Sequence, residues 1–269
     1  MIKMTDMVKH LLIINIIFFV VSIVLPNSND LLVMHYIESD KFQLWQPLTS
    51  MFMHAGPMHI FFNMFALVSF GSALEQMWGS NKFLFFYISC GFGATLLHVG
   101  IDYFEVHNIL GSISHLNLTS SEIHTLLNLD YSSLFDADGV MKNGEVKTIL
   151  DRVNANQEDF NYILEAFSKT RSVLLGASGA IYGLLVAFAF LYPNAALGIM
   201  FIPIPIKAKY FVPGVLAIDL FLGLKGNALF GNGGTGIAHF AHLGGALVGF
   251  LMMWFWKKNQ FDKNRWDRK

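Results

Sequence analysis

Long uncharged apolar segments separate the charged residues of this chain, and they constrain its fold more than any other feature. A helix needs about 20 apolar residues to cross the roughly 30 Å of bilayer hydrocarbon. Only 14% of the 269 residues are charged, against about 25% in soluble domains. The gaps between charges give six segments that approach the required length, at about 11–25, 57–74, 83–101, 173–192, 210–224 and 236–256. We therefore predict an all-α membrane protein with six transmembrane helices.

The lysines and arginines predict how these helices are oriented. They cluster before the first segment, after the last, and between segments two and three and segments four and five. With six helices all these clusters fall on one side, which the positive-inside rule assigns to the cytoplasm. The first segment is followed by residues 25–30, which offer no small-x-small cleavage site, so we expect a retained helix. We predict a multi-pass protein with both termini cytoplasmic, most simply in a bacterial inner membrane.

One long polar interruption divides the apolar segments. Residues 103–172 contain ten acidic and five basic residues and fall on the extracytoplasmic side in this topology. Apolar residues in its second half recur at the spacing of one or two amphipathic helices. The predicted organisation is helices 1–3 with the first external loop, a partly helical insertion, helices 4–6 and a basic cytoplasmic tail, at 1–102, 103–172, 173–256 and 257–269.

Composition excludes several classes of function. A net charge of −1 provides no basic surface for nucleic acid. The single cysteine, Cys90, excludes a disulfide framework and a cysteine-rich zinc site. Histidines are present in and beside the apolar segments, but without a His-Glu-x-x-His helix or an acid at ligand spacing. We therefore predict neither a metal site nor a nucleic-acid partner.

A serine lies between glycines at the start of the fourth segment, in Gly176-Ala177-Ser178-Gly179. If a helix begins here, Ser178 lies in its first turn, where free backbone N–H groups and the helix dipole favour negative charge. An oxyanion formed by serine attack on a carbonyl would be stabilised there. Small residues are also common on a packing surface between membrane helices, and the motif alone favours that interpretation. Both interpretations remain open at this point.

A histidine in the last segment is a candidate base for this serine. His242 precedes Gly245 and Gly249, which form a Gly-x-x-x-Gly face for close helix packing. Packing of that face on the fourth helix would bring His242 within hydrogen-bond reach of Ser178 as general base. His239, one turn earlier, is an alternative base. A histidine near a helix end also fits a purely interfacial position.

Five further polar residues lie in or beside the apolar segments. His59 and Asn63 share one helix face at i and i+4, and their donors suit an oxyanion hole. His54 precedes them and is assigned to shaping the loop, although structural hydrogen bonding would explain all three. Tyr182 follows Ser178 by four residues, on the same face, either to pack beneath His242 or as an ordinary buried tyrosine. Asp219, the one acid within the fifth segment, would face a water-filled cavity, cap a polar neighbour or lie near an interface.

Taken together, these motifs resemble the rhomboid family of intramembrane serine proteases. The likeness covers roughly residues 11–101 and 173–256, and it rests on the order and spacing of three motifs rather than on any one of them. They are His54-x-x-x-x-His59-x-x-x-Asn63, Gly176-Ala177-Ser178-Gly179-x-x-Tyr182 and Ala241-His242-x-x-Gly245-x-x-x-Gly249.

The resemblance implies a mechanism and a substrate class. It assigns Ser178 and His242 to a catalytic dyad, and His59 and Asn63, with the Ser178 backbone N–H, to the oxyanion hole. It implies that Tyr182 packs on the catalytic histidine. It also implies that transmembrane protein substrates are cleaved near the outer face of the bilayer, without a cofactor or metal. No oligomeric state is predicted.

Two departures from the family pattern stand out. Rhomboids often have Trp-Arg in the first external loop, where this chain has Trp45-Gln46. The insertion of about seventy residues precedes the serine, and we expect it to influence substrate access. Two other classes remain: an inactive rhomboid-like protein that binds membrane proteins without cutting them, and a transporter or channel with a polar centre. The complete motif set favours a protease over the first, and the lack of an internal repeat argues against the second.

Overall fold

A computed structural model describes residues 4–136, 139–199, 202–225 and 238–263 of the chain. Helices and one β-hairpin make up its regular structure in this part of the chain. The first six helices are α1 (Asp6–Val24), α2 (Ser28–Leu32), α3 (Gln46–Thr49), α4 (Pro57–Ala66), α5 (Ser72–Trp78) and α6 (Ser80–Ser112). A π-helical turn, Leu67–Gly71, joins α4 to α5.

The remaining α-helices and the two strands follow along the chain. They are α7 (Ser120–Leu127), α8 (Glu145–Arg152), α9 (Gln157–Thr170), α10 (Ser178–Leu191), β1 (Ala196–Ile199), β2 (Ile202–Lys207), α11 (Ala208–Lys225) and α12 (His239–Lys263). The two strands pair antiparallel, with Leu197 opposite Ile206. Residues 264–269 of the predicted basic tail, and the start of the predicted sixth segment at 236–237, lie outside the described residues.

The chain divides into two compact units. One contains Met1–Val33, Trp45–His98 and Leu174–Lys269, and the other contains Met34–Leu44 and Val99–Val173. In the second unit, α7, α8 and α9 bury apolar faces against one another, including Leu126, Ile149 and Ile163. The spacing of apolar residues predicted one or two amphipathic helices here, and α8 and α9 are those two.

In the first unit, apolar side chains cover the outside of the helices as well as the core. On α1, Ile16, Ile17, Val20 and Ile23 are exposed, as expected for a helix that faces lipid. Within the described residues, four helical stretches are long and apolar enough to cross a membrane: Asp6–Val24, Pro57–Trp78, Ser80–Ser112 and His239–Lys257. The protein is therefore an integral membrane protein.

The other two predicted spans correspond to helices of different character. α10 has only 14 residues, and α11 carries Lys209, Asp219 and Lys225. The count of six membrane-crossing helices therefore stays a prediction. The third predicted segment ended at residue 101, whereas α6 continues to Ser112, because a charged residue ends an apolar run without ending a helix.

Glycines bring α10 and α12 into backbone contact. A Cβ atom added to Gly245 would lie 1.9 Å from the Gly179 carbonyl oxygen, and one added to Gly249 would lie 2.8 Å from the Gly183 Cα. Neither helix can carry a side chain at these positions while the backbones stay this close. This contact sets the distance between the residues that α10 and α12 contribute to the candidate site.

Candidate active site

Ser178 is the first residue of α10, so the free N–H groups of a helix amino terminus lie beside its hydroxyl. The turn before it depends on Gly176, whose φ of +124° is strained for any other residue. The Gly176 N–H donates to the Ser50 carbonyl oxygen at 2.9 Å and holds this turn in place. A Cβ added to Gly176 would also lie 2.9 Å from the His59 ring. Glycine is therefore required by both conformation and space.

The serine hydroxyl meets the imidazole of His242. Ser178 Oγ lies 2.9 Å from His242 Nε2, although the two residues are 64 positions apart. The Tyr182 ring stacks on His242, with the ring centroids 4.2 Å apart and the planes 13° from parallel. With the hydroxyl as donor and Nε2 as acceptor, the other nitrogen of a neutral His242 carries the proton.

His59 faces the same turn from α4. The Ala55 N–H donates to His59 Nδ1 at 3.2 Å, so a neutral His59 carries its proton on Nε2. That nitrogen would lie 3.0 Å from a Cβ added to Gly176, beside the serine. The buried Asn63 side chain donates one N–H to the His59 carbonyl oxygen at 2.9 Å. Its amide has a second N–H, since NH₂ carries two donors.

His54 supports His59 rather than reaching the serine. Its ring lies edge-on to that of His59, with the centroids 5.0 Å apart, and its Nδ1 lies 3.3 Å from the Phe52 carbonyl oxygen. Burial, together with repulsion from His59, lowers the pKa of His54 to about 4. His54 is thus neutral at physiological pH, and its ring packs against that of His59.

Asp219 also belongs to this cluster. Its role is not resolved by the sequence alone. Its Oδ1 lies 2.5 Å from His239 Nδ1 and 3.3 Å from His242 Nδ1. The alternative base, His239, therefore pairs with Asp219, and His242 is the histidine that reaches Ser178. A lone acid in an apolar segment was the signal, because such residues face a protein interior and have a partner. The sequence could not identify that partner on another helix.

Gln46 replaces the expected arginine within the core of its unit. The side chain is fully buried, and its Nε2 donates to the Asp30 carbonyl oxygen at 3.4 Å. The neighbouring Trp45 donates its indole N–H to the Leu31 carbonyl oxygen at 2.8 Å. Together these two hydrogen bonds connect the start of α3 to α2.

Comparison with known proteins identifies the family of this chain. A family model described as the Rhomboid domain matches residues 41–131 and 154–259. Similar proteins include RHOMBOID-like protein 6, mitochondrial, of Arabidopsis thaliana, 40% identical over 53 residues, and Rhomboid protease GluP of Bacillus subtilis (strain 168), 45% identical over 47 residues. These alignments cover 20% and 18% of this chain, and only 17% and 9% of the respective relatives. Because the family model matches well over half of its residues, the chain belongs to the rhomboid family.

Proposed function

We propose that this protein is an intramembrane serine endopeptidase that cleaves transmembrane segments of other membrane proteins. The observation that carries the proposal is the 2.9 Å contact between Ser178 Oγ and His242 Nε2. A serine hydroxyl becomes an effective nucleophile when an adjacent base takes its proton. Family membership and the protease name of the B. subtilis relative support the same reaction class.

The first half of the reaction forms an acyl-enzyme. Ser178 Oγ attacks the carbonyl carbon of the scissile amide while its proton passes to His242 Nε2. The stacked Tyr182 ring keeps the imidazole in the plane that faces Ser178. His242 then gives the proton to the departing amine, which leaves the acyl group on the serine as an ester.

The second half hydrolyses that ester. His242 takes a proton from water, whose oxygen attacks the acyl carbon, and Ser178 leaves with the proton that His242 returns. A cavity of about 10 Å³ lies beside the serine, close to the space that one water needs. Since a peptide does not fit in this volume, substrate entry requires the surrounding segments to separate. Residues that weaken the substrate helix near the scissile bond would favour cleavage.

Both steps pass through an oxyanion. The proposed donors are the Ser178 backbone N–H at the amino end of α10, His59 Nε2–H and the second Asn63 amide N–H. Donors that are held by the fold before substrate binds need little reorganisation as charge develops. In the predicted topology the site opens toward the outer face, with both termini cytoplasmic and a bacterial inner membrane as the location.

The test is proteolysis of a transmembrane reporter in proteoliposomes, together with covalent labelling by a fluorophosphonate probe. We expect Ser178→Ala to lose both cleavage and labelling while the protein still inserts. Ser72→Ala is the matched control, because Ser72 is a buried serine on α5 outside the site. Cleavage by Ser178→Ala at the rate of the unmodified protein would overturn the proposal, and so would labelling that persists in this variant.

A further inference from the structure

We propose that Asp219 is a positioning residue that orients His242 for proton transfer, an inference that rests on the proposed serine protease function. The dyad thereby becomes an aligned series of three side chains from three helices: Asp219 on α11, His242 on α12 and Ser178 on α10. The carboxylate does not contact the substrate. It acts through the imidazole.

The two nitrogens of His242 have different partners. Nε2 lies 2.9 Å from Ser178 Oγ, and Nδ1 lies 3.3 Å from Asp219 Oδ1. An ionised carboxylate only accepts hydrogen bonds, so it selects the form of neutral imidazole that has its proton on Nδ1. That form leaves the Nε2 lone pair free to take the serine proton. When His242 becomes positively charged in the reaction, the same carboxylate stabilises it.

The burial of Asp219 makes its pairing with His242 important. Asp219 is only 5% exposed, and a buried carboxylate is costly unless it is paired. His239 Nδ1 lies 2.5 Å from the same oxygen, so His239 also holds the carboxylate in position. The phenol of Tyr182 also faces the carboxylate. Asp219 is thus held by α10 and α12 at the position where the imidazolium would form.

Three groups of this cluster could in principle bind a metal, since the ligand atoms of Asp219, His239 and His242 lie within 4.8 Å of one another. Ligands about 2.0–2.2 Å from a tetrahedral zinc ion lie roughly 3.3 Å apart. The 2.5 Å separation between Asp219 Oδ1 and His239 Nδ1 is much shorter than this. It is also shorter than a charge-assisted N–H···O hydrogen bond, which spans about 2.7–2.9 Å, so these two ligand atoms contact each other directly rather than across an ion.

The experiment compares Asp219→Asn and Asp219→Glu in the proteoliposome assay, with Ser178→Ala alongside. Asparagine preserves the size of the side chain and removes its charge, whereas glutamate preserves the charge and adds a methylene. We expect Asp219→Asn to lower kcat about 100-fold or more with little change in KM, and Asp219→Glu to retain at least ten times more activity than Asp219→Asn. A purely structural role would rank the isosteric asparagine above the larger glutamate, and that ranking would overturn the proposal.

The pH profile provides an independent readout. Removal of the carboxylate withdraws stabilisation from protonated His242, so the acidic limb of kcat/KM should move to lower pH in Asp219→Asn. Among the residues that the structure describes, the other titratable groups facing His242 or Asp219 are His59 on α4, Tyr182 on α10 and His239 on α12. They are present in all variants. If Asp219→Asn folds and shows both a normal kcat and an unchanged acidic limb of kcat/KM, the positioning role of Asp219 is refuted.

Two controls separate the alternatives. If Asp219→Asn does not fold, Asp219→Glu and Asp219→Gln form a pair of equal size that differs only in charge, and equal activity in that pair would contradict the proposal. Inhibition of the unmodified protein by EDTA, reversed by zinc, would also overturn it in favour of a metal site. Loss of cleavage in Ser178→Ala with normal cleavage in Asp219→Asn would reject the role of Asp219 alone. Normal cleavage in Ser178→Ala would instead reject the protease function.

Discussion

A single methyl group at Gly245 should separate the two residues of the proposed dyad. In Gly245→Ala the new Cβ would lie 1.9 Å from the Gly179 carbonyl oxygen and 2.6 Å from the Gly179 carbonyl carbon, whereas ordinary contacts begin at about 3.4 Å. Both atoms belong to helix backbone, which cannot rotate away as a side chain can. The helices must therefore move apart locally by about 1.5 Å.

This displacement is transmitted to the site because the affected residues are close in sequence. Ser178 adjoins Gly179, and His242 lies one turn before Gly245 on α12. Their 2.9 Å contact would open beyond 4 Å, outside the range of a hydrogen bond. A 1 Å misplacement of reacting groups costs about 100-fold in rate, or about 2.7 kcal/mol. Overpacking adds about 1–3 kcal/mol of destabilisation.

The assay is cleavage of a transmembrane reporter in proteoliposomes, together with the rate of fluorophosphonate labelling and the Tm in detergent. Gly214→Ala, on α11, is the control because a Cβ there meets no atom within 4 Å. It should keep full activity and Tm. A Gly245→Ala protein with cleavage and labelling within threefold of the unmodified protein would refute the argument that glycine contact sets the dyad distance.

Three further predictions concern other parts of the structure. His59→Phe should lower kcat about 100- to 1000-fold, because it removes an oxyanion donor, and unchanged kcat would exclude that role. The free energy of unfolding in detergent should fall by at most about 3 kcal/mol as pH decreases from about 6.5 to about 4. The reason is that His54 has a pKa of about 4 in the folded state and about 6.5 in the unfolded state, so the unfolded state binds the proton first. His54→Gln should flatten this dependence, and an equal slope in both proteins would contradict the prediction. Asn156→Ala removes the side chain that accepts hydrogen bonds from the Glu158 and Asp159 N–H groups at the start of α9. Protection of the α9 amides from hydrogen exchange should therefore fall by about 1 kcal/mol. Unaltered exchange would contradict this capping role.

The candidate residues were predictable from sequence where the signal was local. A serine at the start of an apolar segment, a tyrosine four residues later and a Gly-x-x-x-Gly face after a histidine are all patterns of spacing along one helix. The position of the proton on His59 was not predictable, because it depends on the Ala55 N–H in the preceding loop. Nor was the partner of Asp219, since that pairing depends on how α11 packs against α12. The length of α6 was underestimated because apolar composition detects lipid-facing residues, not the end of a helix.

The π turn at Leu67–Gly71 gives the second span two separately oriented faces. Such a turn accommodates one residue more than an α-helical turn, and each helical residue advances the chain by about 100° around the axis. His59 and Asn63, before the turn, face the candidate site. Glu75, after it, accepts hydrogen bonds from the Met7 and Val8 N–H groups at the start of α1.

Loss of one residue within the π turn would restore a regular helix and rotate Glu75 away from α1, while His59 kept its place. The half of the span that holds the site and the half that holds α1 are thus under separate geometric constraints. A sequence change in one half therefore does not have to preserve the orientation that the other half requires.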